Sequence, residues 1–402
     1  MKARIGLCII SLFLVVVPCQ YSRAVNLEFH PGLYTSYEYT DNYTGVARDA
    51  VSESIFEVGP SLALILSSQA LRWDLTGYLA RSVHREFEDD DSTEVRIETS
   101  ATIAGQIQSM TLGYAYSQSR RRESLGDPSG IRRIHAGSVA YAREMTQRTS
   151  LRLSTDASRE RTDGTEEEID SWGGQAGLSW RASQRTTIDV TSRYVAYTYE
   201  LREDTSTSTN SAHVSYAVNP RTSIGVFGDY VHVDRGDDPD EDIYSTSATM
   251  RYTPYEHISL SLRGGYSWLS LEDEDRQETY TVGTDIARTT DRDTVRLSFS
   301  RGYRADFTVD RYGTYDIREA RLAWDRRLTR TLSTSAAVSY EESRPTFEDQ
   351  ENEEDLVAGL SLLWGPLEYL DARLSYNHLR HTYEISDTVS ENRYRVIVEV
   401  RY

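Results

Sequence analysis

The chain has 402 residues, a net charge of −19 and a mean hydropathy of −0.56. That polarity excludes a bundle of membrane-spanning helices, each of which needs about 20 apolar residues in a row. The negative charge argues against nucleic acid as a partner. Disorder, the ordinary state of an acidic polar chain, is excluded by 28 tyrosines and by recurrent strand patterning.

The first segment reads as a leader. Lys2 and Arg4 flank the start of an apolar run from Ile5 to Val17, and Ser22-Arg23-Ala24 follows it. A basic start, a short apolar core and small residues at the −3 and −1 positions describe a secretory signal peptide, with cleavage expected after Ala24. This leaves residues 25–402 as one domain. Cys8 and Cys19 both lie in the leader, and Pro18 before Cys19 is a poor lipoprotein site. The exported chain therefore has no thiol for a disulfide or a thiolate metal site, and no cofactor is expected. After Ala24 every basic side chain except histidine is arginine.

Beyond the leader, two kinds of break alternate. One is tight, from Ser67-Ser68-Gln69 through Asn219-Pro220-Arg221 to Gly365-Pro366-Leu367. The other is longer and mostly acidic, from Asp41–Val51 through Gly236–Asp242 to Ser386–Asn392. Nine tight and ten longer breaks divide the chain into about 20 segments, with 18–22 as the range. Segments of roughly 11–16 residues exceed the ~5–6 usual for soluble strands. Short turns at one rim and long loops at the other fit an all-β fold: a transmembrane antiparallel up-and-down β-barrel with periplasmic turns and acidic extracellular loops. The first hairpin, about Leu27–Thr40 with Ser52–Leu66, is irregular. Pairing around its loop sets Pro31-Gly32 near Gly59-Pro60, and proline cannot donate to a ladder, so a bulge or local opening is expected here, toward the periplasmic rim.

Within segments the period is two. Ile258, Leu260, Leu262, Tyr266 and Trp268 alternate with Ser259, Ser261, Arg263 and Ser267; Leu370, Ala372, Leu374 and Tyr376 alternate with Asp371, Arg373, Ser375 and Asn377. In a membrane barrel the apolar face meets lipid and the polar face lines the lumen. By parity the lumen candidates are Arg72, Asp74, Arg96, Glu98, Arg152, Asp156, Asp189, Arg193, Arg263, Arg296, Asp371, Arg373, Arg395, Glu399 and Arg401. They can form ion-pair ladders that hold the wall, or line a hydrated path and set its selectivity. Trp73, Trp180, Trp324 and Trp364 fall beside tight turns, as periplasmic-rim aromatics, while Trp172 and Trp268 fall nearer the long loops.

Two stretches carry resemblances. Tyr37-Glu38-Tyr39-Thr40-Asp41-Asn42, followed by Ile55-Phe56-Glu57-Val58-Gly59-Pro60-Ser61-Leu62, resembles the N-terminal signature of a family of outer-membrane β-barrel porins. Some members of that family are associated with exopolysaccharide or exosortase loci. The resemblance covers the first hairpin, defines no functional residues, and implies polysaccharide or export components as partners. The last ten residues set Tyr394, Val396, Val398, Val400 and Tyr402 on one face. Such a strand, ending on an aromatic, resembles the assembly signal read by the outer-membrane barrel assembly machinery.

Chemistry is sparse. His378 and His381 are three apart, which on a strand sends them to opposite faces and disfavours a shared metal. Acidic runs at Asp237–Asp242, Glu272–Asp275, Glu348–Asp349 with Glu351, and Glu353–Asp355 could hold divalent cations weakly, but they lack the spacing and glycine of a calcium loop. No Ser–His–carboxylate order is recognisable, so an enzyme is not expected. Three functions stay open: a porin-like channel for small hydrophilic solutes in a Gram-negative outer membrane, an exopolysaccharide exit or accessory barrel, and a closed structural or adhesin barrel.

Overall fold

A computed structural model describes residues 25–120, 130–163, 168–200, 203–236, 238–271, 276–307, 312–346, 351–383 and 388–401. The leader, Tyr402, and the acidic residues Asp237, Glu272–Asp275 and Glu348–Asp349 lie outside these. The described chain is almost all strand. The first ten strands are β1 (Asn26–Thr40), β2 (Glu53–Ser67), β3 (Leu71–His84), β4 (Ser92–Ala104), β5 (Gln108–Ser119), β6 (Arg132–Thr146), β7 (Thr149–Thr162), β8 (Glu168–Arg181), β9 (Thr186–Tyr199) and β10 (Thr205–Asn219). The second ten are β11 (Thr222–Arg235), β12 (Asp238–Tyr255), β13 (Ile258–Leu271), β14 (Gln277–Thr289), β15 (Asp293–Phe307), β16 (Tyr312–Arg327), β17 (Leu332–Pro345), β18 (Glu353–Leu367), β19 (Leu370–Tyr383) and β20 (Val389–Arg401). Each pairs antiparallel with its neighbours in sequence. The sheet then closes, because β1 pairs with β20 from Gly32↔Arg401 to Thr40↔Arg393. A closed sheet leaves no edge strand and satisfies its backbone internally, which a bilayer requires.

The segment boundaries read from the breaks hold closely, with one exception. The acidic stretch Gly236–Asp242 is not a long loop. Arg235 pairs directly with Asp238 around a tight turn in which Gly236 adopts φ 71°, and Glu241 and Asp242 are laddered to both β11 and β13. Glycine fits that left-handed backbone without steric cost. Composition suggested a solvated loop here; cross-strand pairing overrides it.

The expected local opening is present at Gly59-Pro60, on the side of β2 away from β1. The β1–β2 ladder runs unbroken from Asn26↔Ser67 to Thr40↔Glu53, with Pro31 opposite Leu62 and Pro60 opposite Leu33. The interruption lies on the other side of β2, where pairing with β3 stops at Val58↔Arg81 and resumes at Ser61↔Tyr78. In a ladder, alternate residues bond to alternate sides. The missing donor of Pro60 falls on the β3 side, and that of Pro31 lies just beyond the β1–β20 register. Beside Pro60, the Leu79 carbonyl approaches Gly59 so closely that a Cβ would collide with it.

Which face points inward follows from burial combined with register. On β1, Tyr34, Ser36, Glu38 and Thr40 are buried, while Leu33, Tyr37 and Tyr39 are exposed. Directly opposed residues share a face, so this assignment propagates through the ladders around the barrel. The outer face carries Phe56, Leu79, Ile97, Val190, Val226, Tyr266, Leu322 and Leu360, all exposed. All six tryptophans also fall on it. Among them Trp172, Trp180 and Trp364 are exposed, and Trp73 donates its indole N–H to Thr99 Oγ1 at 2.7 Å. Among the described residues the one helix is the 3₁₀ turn Glu88–Asp90, and none is long and apolar enough to cross a membrane.

Candidate functional site: the inner wall

Two halves of the inner wall differ. Toward the short-turn rim it is open and charged. Arg72 with Asp74 (2.9 Å) and Arg96 with Glu98 (2.6 Å) pair along their own strands, as alternate residues on one face can. Arg263 reaches Asp229 at 3.4 Å, lies 4.0 Å over the Phe227 ring and donates to Ser247 Oγ; Arg296 lies 3.9 Å from Asp285. The Arg72, Arg96 and Arg296 side chains are 63%, 59% and 62% exposed, so their pairs contribute little to stability. The register places Arg152 opposite Gly177, Asp156 opposite Gly173, Asp189 opposite Ser179 and Arg193 opposite Gln175, on the same face. Among the described residues, Arg152, Arg193 and Arg373 have no carboxylate partner. Arg373 borders a recess of about 630 Å³ with Arg292, Arg327, Asp325, Ser335 and Ser361. Asp371 stands opposite Glu399, and the Arg401 backbone opposite Gly32.

Toward the long-loop rim, the same face is buried. Glu53, Glu57, Glu241 and Ser343 are 1%, 2%, 0% and 0% exposed, and Val233 and Leu269 are fully covered. Glu241 pairs with Arg235, itself buried. Such enclosed charge requires pairing or bound N–H groups. Glu53 illustrates the second solution. Its carboxylate accepts the backbone N–H groups of Ser54, Arg85, Glu86 and Phe87 at 2.6–3.2 Å, which folds the segment after β3 over the wall. Ile243, Leu269 and Leu271 form an apolar cluster on this face, with Val231 and Tyr303 packed against it.

The closing seam concentrates the polar contacts. Tyr34 and Tyr78 stack at 4.4 Å between ring centroids across β2. Tyr34 Oη donates to Glu57 Oε2 (3.0 Å), and Ser36 Oγ donates to the same oxygen (2.5 Å). From β20, Arg395 donates to Tyr34 Oη at 2.7 Å and lies 3.5 Å from Glu57 and 3.8 Å from Glu38. Three strands that meet only after the barrel closes thus share one charge network. Sequence parity singled out Arg395; it missed Tyr34, Glu38 and Glu57. The available signal was the alternation of Tyr34, Ser36, Glu38 and Thr40 inside a tyrosine-rich strand.

Above the seam, Asp41 and Asn42 bind the first loop to the last strand. Asn392 donates from N to Asp41 Oδ1 (2.7 Å) and from Nδ2 to Oδ2 (2.6 Å), while Asn42 Nδ2 donates to the Ser390 carbonyl (2.9 Å). Asp41→Ala is therefore expected to cost about 2–3 kcal/mol, as hydrogen bonds to a charged group do. The check is the denaturant midpoint of the refolded barrel; an unchanged midpoint would show the latch to be idle.

On β20 the apolar face is outward: Tyr394 and Val396 are exposed, with Val398 and Val400 on the same side. His378 and His381 take opposite faces. His378 bonds to Asn392 on the outside, and His381 bonds to Asp355 on the inside.

No protein-family model matches the chain, and no curated protein matches it. Solved structures do. The FrpB iron transporter from Neisseria meningitidis superposes with a TM-score of 0.59 at 10% identity, covering 93% of this chain and 81% of that one. The siderophore receptor PirA from Pseudomonas aeruginosa gives 0.52 at 11%, covering 94% and 81%. Pseudomonas aeruginosa OpdO gives 0.46 at 12%, covering 94% and 97%. At such identities the first two likenesses are of fold.

Proposed function

We propose that the chain forms a channel in the outer membrane of a Gram-negative cell and passes small hydrophilic solutes passively, with a narrow acidic outer mouth that favours cations. The observation that carries this reading is the contrast between the faces of one closed 20-strand wall. Outside, it is apolar with aromatic ends; inside, it is open, polar and charged toward the short-turn rim and carries buried charge beside one apolar cluster toward the long-loop rim. Barrels of about 16–18 strands already enclose water. Arg152, Arg193 and Arg373, which have no carboxylate partner among the described residues, are costly at membrane depth unless wet, which a hydrated lumen explains. In this orientation the tight turns are periplasmic and the long loops extracellular.

A second reading, a closed structural barrel, draws on the buried inner face at the long-loop rim. Planar-bilayer recording separates the two. Discrete steps of small conductance, with a reversal potential favouring K⁺ over Cl⁻ in a KCl gradient, are expected of the channel. Silence from protein shown to be folded would leave the closed barrel standing.

A further inference from the structure

The wall is not equally sealed all round. The β14–β15 ladder ends at Val282↔Arg301, whereas β15–β16 pairing continues to Phe307↔Tyr312. Gln277–Thr281 and the end of β15 beyond Arg301 thus lack each other as partners. Nearby contacts show where the upper part of β15–β17 has gone. Tyr303 reaches past β14 onto the inward-facing cluster of Ile243, Leu269 and Leu271, and Gln277 Nε2 donates to the Thr346 carbonyl at 3.4 Å, from β14 to the end of β17. The tops of β15–β17 therefore overlap the inner side of β13 and β14.

This overlap is weakly held. It buries the hydroxyls of Thr279, Thr281 and Thr314 without hydrogen-bond partners. Each such group costs free energy, and the unmade ladder adds to the cost. The alternative is written in the register: continued, it pairs Thr281 with Gly302, Tyr280 with Tyr303 and Thr279 with Arg304. That arrangement re-forms the wall and withdraws Tyr303 from the mouth.

We propose that the overlap is a gate on the solute path, with an overlapped closed state and a zipped open state. Two discrete arrangements of one packed element are the usual basis of such a switch. The proposal rests on the channel reading above.

Residues 25–402 contain no cysteine, so in a chain that starts at Val25 a Gln277→Cys/Thr346→Cys pair can be bridged selectively by a short bifunctional methanethiosulfonate and released by dithiothreitol. Bridging should abolish single-channel steps, and reduction should restore them to the wild-type level. Tyr303→Ala should raise open probability by about tenfold, the shift that ~1.4 kcal/mol produces. Equal conductance before and after bridging would overturn the gate and leave the channel. Thiols that fail to bridge in folded protein would overturn the overlap itself. Silence from wild type and from Tyr303→Ala alike would remove the channel reading together with the gate.

Discussion

Replacing Arg395 with leucine is expected to destabilise the folded barrel by about 3–5 kcal/mol, the usual cost of removing one partner from a buried ion pair. Glu38 and Glu57 are 4% and 2% exposed, and Arg395 from β20 reaches both. Leucine supplies volume but no charge. It leaves two carboxylates enclosed beside a stacked tyrosine pair, and it also removes the donor to Tyr34 Oη. The loss falls at the junction of first and last strands, where closure is completed. Guanidinium unfolding in detergent, followed by tryptophan fluorescence, measures it. Adding Glu57→Gln to Arg395→Leu should recover part of the loss, because the second carboxylate is then neutral. Equal midpoints for wild type and Arg395→Leu would show that the network contributes nothing to closure.

Glu53→Ala should act locally. The Glu53 carboxylate serves the amides of Arg85, Glu86 and Phe87, and an amide left without an acceptor costs about 1–3 kcal/mol. The segment need not stay in place at that cost, because it can swing into water and hydrate. Trypsin cleavage after Arg85 should then accelerate strongly while the barrel itself stays folded, since local opening needs less free energy than global unfolding. Digestion timed on a gel reports it. Cleavage at the wild-type rate would mean that Tyr43, which packs on His84 and Phe87 and donates to Asp90, holds the segment without Glu53.

Some of this was legible in one dimension. Alternation along Ile258–Trp268 and Leu370–Tyr376 gives each strand one apolar and one polar face, and nineteen breaks imply an even strand count. These are local properties: a strand's two faces are fixed by its own residues, and a hairpin's register by its turn. Gly236–Asp242 shows the limit. Its composition is that of a loop, yet Glu241 and Asp242 pair with neighbouring strands on both sides. The Pro60 defect shows another, because its presence was readable but the side on which the ladder opens depends on which neighbour the missing donor faces.

The sequence by itself determined strands with one polar and one apolar face, about 20 of them, and a final strand with one aliphatic-aromatic face, since each follows from side-chain parity and spacing. Tertiary structure alone decided the rest. Glu38, Glu57, Tyr34 and Arg395 lie up to 361 residues apart and meet because closure brings β20 to β1. The packing of Tyr303 on Leu269 and Leu271, and the bond from Gln277 to the Thr346 carbonyl, join strands that are not paired with each other in the sheet. Contacts between such strands depend on how the closed wall curves and shears, which no single strand's pattern encodes.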